Sequence, residues 1–422
     1  MIPIWGAKRP RSCTTRVDLL CDDETMIPIW RSKQQPSPLN LGEFRRDADW
    51  ANVGEGPAGL IAERLLAAGD IADYISFRAV CRQWRICSTD PRAHGILDTR
   101  FLPRQWIMLR EEEEESEASP HRRRFLNTST GCTRRLDLPE LDGQDVFGPT
   151  TEGLLVLLDT DTCVLRLLNP LTRHMADLPS TSNLVTLEDL RHASCMKNLF
   201  QICGAGLADD LTIAVHFRNI KTIAITKPGD AHWTVVDRGS WFLPAMSFEG
   251  RFYCATTKAV TMVETSSADH QPPRLVTAAK LTRPFSRMME DTVHLVDIDR
   301  KLILVDRKCN GNDHRKFEVY QVDLVAREMV PVRGLGGRAV FIGKQLALSV
   351  SPSVFPSVCA DAIYLGFDDM MTGRFDRSPV HLMDGTAEPR QYHQYSIGGM
   401  PVYEPLRVDE HLSWCVTGYR VN

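Results

Sequence analysis

Three short patterns in the chain carry residue types suited to chemistry. Gly54-Glu-Gly56-Pro-Ala-Gly59 spells G-x-G-x-x-G, the loop that turns a backbone under a pyrophosphate at a helix N-terminus. That chemistry needs a hydrophobic strand just before the glycines. Residues 47–53, DADWANV, do not supply one, so no dinucleotide site is expected. Asp159-Thr-Asp161 and Asp297-Ile-Asp299 open like calcium loops, which require Gly at position 6 and Glu at position 12. The chain places Val164 and Pro170, then Leu302 and Lys308, at those positions, and both segments read as hairpin turns. Neither a phosphate-binding G-x-x-x-x-G-K-[ST] loop nor a G-x-S-x-G or H-E-x-x-H motif occurs. The twelve cysteines are scattered, without C-x-x-C or zinc spacing. They are expected to be small buried hydrophobes in a reducing compartment. These patterns give no positive evidence of a catalytic residue, metal or cofactor, although one sequence leaves open a site assembled from dispersed histidines; the expectation is that the protein is not an enzyme.

The elements around these motifs divide the chain into unlike parts. Its 422 residues suggest two or three folding units, and 50 basic against 54 acidic residues leave a net charge of -4. A nucleic-acid partner would call for a strongly basic domain, and a membrane span for about 20 consecutive apolar residues. Neither is present, and the first residues lack the apolar core of a secretory signal. Cytoplasm or nucleus is the expected location.

Residues 1–46 show no helical or strand period and read as a disordered leader. Within it MIPIW at residues 1–5 returns at residues 26–30. Residues 47–97 are helical in pattern. Pro57 suits a first helical turn and Gly69 a C-terminal stop, with Leu60, Ile61, Leu65 and Leu66 between them. Asp70 can cap a second helix over 71–85, and Asp90-Pro91 can open a third. From residue 98 to 422 the pattern is strands and turns. A hairpin joins 154–158 to 163–168, and strand-rich segments begin near Leu211, Gly250, Val293 and Ala339, at successive offsets of 58, 39, 43 and 46 counted from the hairpin at Gly153. Such spacing fits a propeller built blade by blade, here six or seven blades, with a β-sandwich pair as the competing fold. Residues 111–115 with Glu117 are acidic and 122–124 are all Arg. This block, about 110–124, reads as a solvated loop. Residues 368–399 read as a long loop over one face.

The helical part resembles the F-box. Arg78-Ala79-Val80-Cys81-Arg82-Gln83-Trp84-Arg85 follows that family's V-C-x-x-W-R ending, and Leu65, Leu66 and Ile71 fall where its leucines lie. One departure stands at the start, where Val53-Gly54 replaces the usual Leu-Pro. Further on, Phe147-Gly-Pro-Thr150 and the stretches 153–173, 231–257 and 348–366 look like the C-terminal domain of a large plant group of F-box proteins, the KIB-like propeller type. The resemblance implies a mainly β fold, a three-helix F-box followed by a β-propeller-like domain. It also implies a substrate-recognition subunit of a Skp–cullin–F-box ubiquitin ligase. The partners would be a Skp-type adaptor, cullin through it, and an unknown protein substrate held by the propeller. Pro57, Leu60, Ile61, Leu65, Leu66, Ile71, Val80, Cys81 and Trp84 would build or support the adaptor interface. The alternative is a propeller interaction scaffold with a degenerate F-box, acting outside a ligase.

Overall fold

Apolar runs such as Leu154 to Leu158 send alternate side chains to opposite faces of a strand, and here both faces are covered. Leu154, Val156 and Leu158 enter one apolar cluster, while Leu155 and Leu157 enter another. Strands buried on two sides belong in sheets packed between other sheets. The computed structural model describes residues 55–109, 121–159, 161–192, 199–240, 242, 245–265, 271–281, 293–310, 313–343, 346–366, 379–383, 385, 394–397, 400–403 and 407–417. All of them lie in the unit Ala48–Asn422. The leader with its repeated MIPIW, the Val53-Gly54 departure, the acidic residues 111–117 and most of 368–399 lie outside the described residues.

Four successive four-stranded antiparallel sheets run in chain order. The first is β4 to β7, Gln144–Pro149, Leu155–Asp159, Val164–Asn169 and His174–Ser180. The second is β8 to β11, Ile202–Leu207, Ile213–Phe217, Thr222–Thr226 and Thr234–Arg238. The third is β12 to β15, Ala245–Phe248, Arg251–Ala255, Ala259–Glu264 and Arg274–Lys280. The fourth is β16 to β19, Val293–Ile298, Lys301–Asn310, Asp313–Asp323 and Glu328–Val332. Each is a simple meander. The third and fourth are joined at their outer strands by a parallel bridge between Lys280 and Glu328. The two aspartate motifs are indeed turns. Asp159 Oδ1 accepts the N–H groups of Asp161 and Thr162, and Asp297 Oδ1 accepts that of Arg300.

Two further sheets are made differently. β1 to β3, Trp106–Met108, Arg122–Asn127 and Thr133–Asp137, form three strands. β20 to β23, Ala339–Ile342, Ala347–Val350, Ala362–Leu365 and Val380–His381, are ordered β21-β20-β22-β23 with β20 and β22 parallel. A hairpin, β24–β25 (Gln394–Ile397, Met400–Tyr403), follows. The expected six or seven blades therefore need correction, since four regular blades are present among the described residues. Blade-by-blade spacing assumes that every strand-rich segment folds as a four-stranded meander, whereas β1–β3 form three strands and β20–β23 contain a parallel pair.

Apolar clusters join neighbouring sheets. The first blade packs on the second, the second on the third, the third on the fourth, and the fourth on β20 and β22. Closure falls to β1 and β2. Ile107, Leu109 and Leu126 pack against β20–β22, while Trp106, Met108 and Phe125 face the first blade. A C-terminal helix over Val408–Thr417 reinforces this seam, burying Leu412, Cys415 and Val416 in the same cluster as Ile107 and Leu126. Cys415 Sγ donates to Met108 O at 3.4 Å.

Candidate functional site

Ahead of the sheets stand three helices, α1 (Glu55–Ala67), α2 (Ile71–Val80) and α3 (Arg82–Ile86). Gly56 and Gly59 lie inside α1, so the G-x-G-x-x-G pattern builds no phosphate loop. Small residues let α1 approach its neighbours. Ala58 and Ala62 are buried, and a Cβ on Gly59 would stand 3.5 Å from Cys87 O. Asp70 caps α2, its Oδ1 accepting the Ala72 N–H at 2.9 Å. The second helix does not run unbroken to Arg85. Cys81 is extended, with φ -156 and ψ 169, and its Sγ accepts the Trp84 N–H to start α3. The expected third helix after Asp90-Pro91 is instead a turn. Arg78 fixes the following loop by donating to the Ser88 and Thr89 carbonyls, and Tyr74 Oη adds a bond to Thr89 O at 2.7 Å.

The nine residues implied by the resemblance separate by environment. Leu60 (62% exposed), Val80 (61%) and Ile61 (38%) present large apolar side chains to solvent, and Pro57 is exposed beside them in sequence. Ile71 is buried against Tyr74, Phe77 and Phe101. Leu65, Leu66 and Trp84 are half-buried against the same cluster, and Trp84 stacks on Phe77 with ring centroids 4.5 Å apart. Cys81 is half-buried and engaged as the α3 cap. Sequence reasoning missed Ile86, 61% exposed at the end of α3. Its apolar type directly after Trp84-Arg85 was the available signal. Leu60 and Ile86 adjoin Gly59 and Cys87, the pair where α1 meets the end of α3.

This helical unit is tied to the sheets. Ala72 of α2 joins the cluster of Trp106, Phe125 and Leu155. Arg134 of β3 pairs with Asp73 at 3.5 Å and lies 5.9 Å from the Trp106 ring centroid. Asn169 Nδ2 donates to Phe101 O at 2.8 Å, and Arg92 Nε donates to Thr172 O at 2.8 Å. At Gly153, φ +83 and the nearby Pro103 carbonyl leave no room for a side chain.

A narrow axial cavity lies where the inner strands converge. Pro149 and Thr151, Gly204 and Ala205, Ala245 and Met246, His294 and Leu295, and the β20–β21 connection line it. Its space for water centres is about 40 Å³, room for two or three waters and far below a drug-sized pocket. Among the described residues no group of three or more His, Cys, Asp or Glu could hold a metal ion. No helix among them is long and apolar enough to cross a membrane.

Two histidines are held neutral by the interior. Burial pushes His216 down to about 4, helped by Arg218, and burial with Arg124 nearby does the same to His411. Both folded values lie below the ordinary 6.5. The unfolded chain thus takes up protons that the folded chain refuses, and stability falls as pH drops from 6.5 towards 4. The expected loss is about 2 kcal/mol per histidine at pH 5. Urea midpoints between pH 7 and 5 measure it, and a His216→Gln, His411→Gln double variant should flatten that slope. An unchanged slope in the double variant would refute the assignment.

Four meander blades joined by apolar faces around one axial space define a β-propeller. The chain belongs to the KIB1-4 beta-propeller family, which it matches over residues 125–396, more than half its length. No curated protein sequence matches it. Among solved structures it is similar to YCF48 from Cyanidioschyzon merolae at 13% identity and TM-score 0.32, covering 57% of this chain and 75% of that one. It is also similar to the N-terminal domain of Nup159 at 10% identity and TM-score 0.23, covering 50% of this chain and 59% of that one. At these scores neither likeness bears on function. A propeller of this kind, rigid and displaying loops on its faces, is a domain suited to protein interaction.

Proposed function

We propose that the protein is the substrate-recognition subunit of a Skp–cullin–F-box ubiquitin ligase, working in cytoplasm or nucleus. The helical unit binds a Skp-type adaptor, and through it cullin, while the propeller binds a protein substrate. Holding the substrate beside the ubiquitin-charged enzyme raises its effective concentration, a task that needs two interfaces and no catalytic group. The observation that carries this reading is the exposure of Leu60, Ile61, Val80 and Ile86 on three short helices, within the segment that resembles the F-box. Four large exposed apolar side chains concentrated in one small helical unit support a partner there.

The full chain is expected to co-elute with a Skp-type adaptor. Ile61→Asp and Val80→Asp are each expected to weaken that binding by about 2 kcal/mol, roughly 30-fold. Because both side chains are exposed in the free protein, the thermal midpoint should stay near wild type. Binding that survives both substitutions would sink the interface. The alternative, a scaffold outside any ligase, is favoured by Val53-Gly54 in place of Leu-Pro. A wild-type chain that fails to bind the adaptor while retaining other protein partners would establish it.

A further inference from the structure

The seam of the first three blades holds a carboxylate that this function leaves unused. Glu152 sits in the turn between β4 and β5 and is 3% exposed. Its Oε1 accepts the Leu207 N–H at a long 3.4 Å, and among the described residues nothing pairs with Oε2. Ser247 of β12 is 1% exposed, and its Oγ also lacks a partner among the described residues. Gly206 of β8 brings the two together. A Cβ there would lie 2.5 Å from Ser247 Cβ and 3.2 Å from Glu152 Oε2. Thr150, in the same turn, has a second buried hydroxyl without a partner among the described residues. The backbone around them is fixed, since Thr151 Oγ1 donates to Ser247 O at 2.9 Å. Thr151 also lines the axial cavity, so the pair lies one residue away from it along both β4–β5 and β12.

Buried carboxylates persist where they are paired or coordinate an ion. Carboxylate and hydroxyl oxygens are hard donors, which suit alkali and alkaline-earth cations and not the softer transition metals. Charge then separates those two groups. One carboxylate neutralises one positive charge, whereas a divalent ion would leave net charge in an apolar seam, where it is strongly disfavoured. We infer that Glu152 and Ser247 bind one monovalent alkali cation, sodium or potassium, at the junction of the first three blades. The ion adds to the apolar contacts that already join these blades and acts as a structural rivet at their junction.

Thermal unfolding of the full chain at constant ionic strength tests this, comparing sodium, potassium, choline and calcium chlorides. Sodium or potassium is expected to raise the midpoint by about 3 °C or more over choline. Glu152→Gln, nearly the same shape, is expected to lose that increment. Ser247→Ala, which leaves the carboxylate in place, is expected to raise the salt concentration for half the effect about tenfold, and it carries the test if Glu152→Gln does not fold. Equal midpoints in sodium, potassium and choline would overturn the inference. So would an increment that survives in Glu152→Gln, or stabilisation by calcium alone.

Discussion

Gly153→Ala is expected to lower the unfolding free energy by roughly 2–5 kcal/mol, a large share of a typical domain's total. Two costs combine. At φ +83 an L-residue is strained by about 1–2 kcal/mol. The new methyl would also overlap the Pro103 carbonyl, and forcing an extra carbon into packed structure costs about 1–3 kcal/mol. Because the obstacle is backbone, no rotamer change relieves it. Pro103 belongs to the link between the helices and β1, so the substitution strikes where helical unit and first blade meet. Urea unfolding followed by circular dichroism measures the loss. A change below about 1 kcal/mol would mean that the turn relaxes freely and that this contact does not join the two parts.

The second large effect is expected at the seam. Leu412 is fully buried in the C-terminal helix, among residues of β1, β2 and β20–β22. Leu412→Ala removes about three methylene equivalents and leaves a cavity, for an expected loss of about 2–5 kcal/mol. The loss is also expected to be local at first. Amide hydrogen exchange should accelerate in Trp106–Met108 and in the helix before it does in β8–β11, because the damaged cluster joins only the first and last sheets. Uniform acceleration across all blades would show that the seam is no weaker than the other interfaces.

How far the residues alone led is clearest from particular elements. The strand starts near Gly250, Val293 and Ala339 were readable because β-branched and aromatic runs end in glycine and aspartate turns, and the structure places strands there. The break at Cys81 was not readable, since Val80, Cys81 and Trp84 keep helical spacing across it. The extended backbone there depends on a sulfur cap and on the Phe77–Trp84 stack. The helix over Val408–Thr417 was also missed. Its apolar stripe is short, and what stabilises it lies some 300 residues earlier, as the Cys415–Met108 separation of 307 shows. For the candidate site, the resemblance to the F-box brought Leu60, Ile61 and Ile71 into one proposed set. It could not tell which faces the rest of the chain covers. Burial of Ile71 under Tyr74 and Phe101 separates it from the exposed pair. Glu152 was invisible for the same reason, because its surroundings come from three blades.

The seam also has a consequence in time. Ile107, Leu109 and Leu126 leave the ribosome early, while Leu412 and Cys415, which cover them, are made about 300 residues later. At usual rates of synthesis that interval is roughly 15–60 s. For most of it the same face also waits for its partners in β20 and β22, among them Ala339, Phe341, Ala362 and Tyr364. Among the described interfaces, this seam is therefore the last whose residues have all been made.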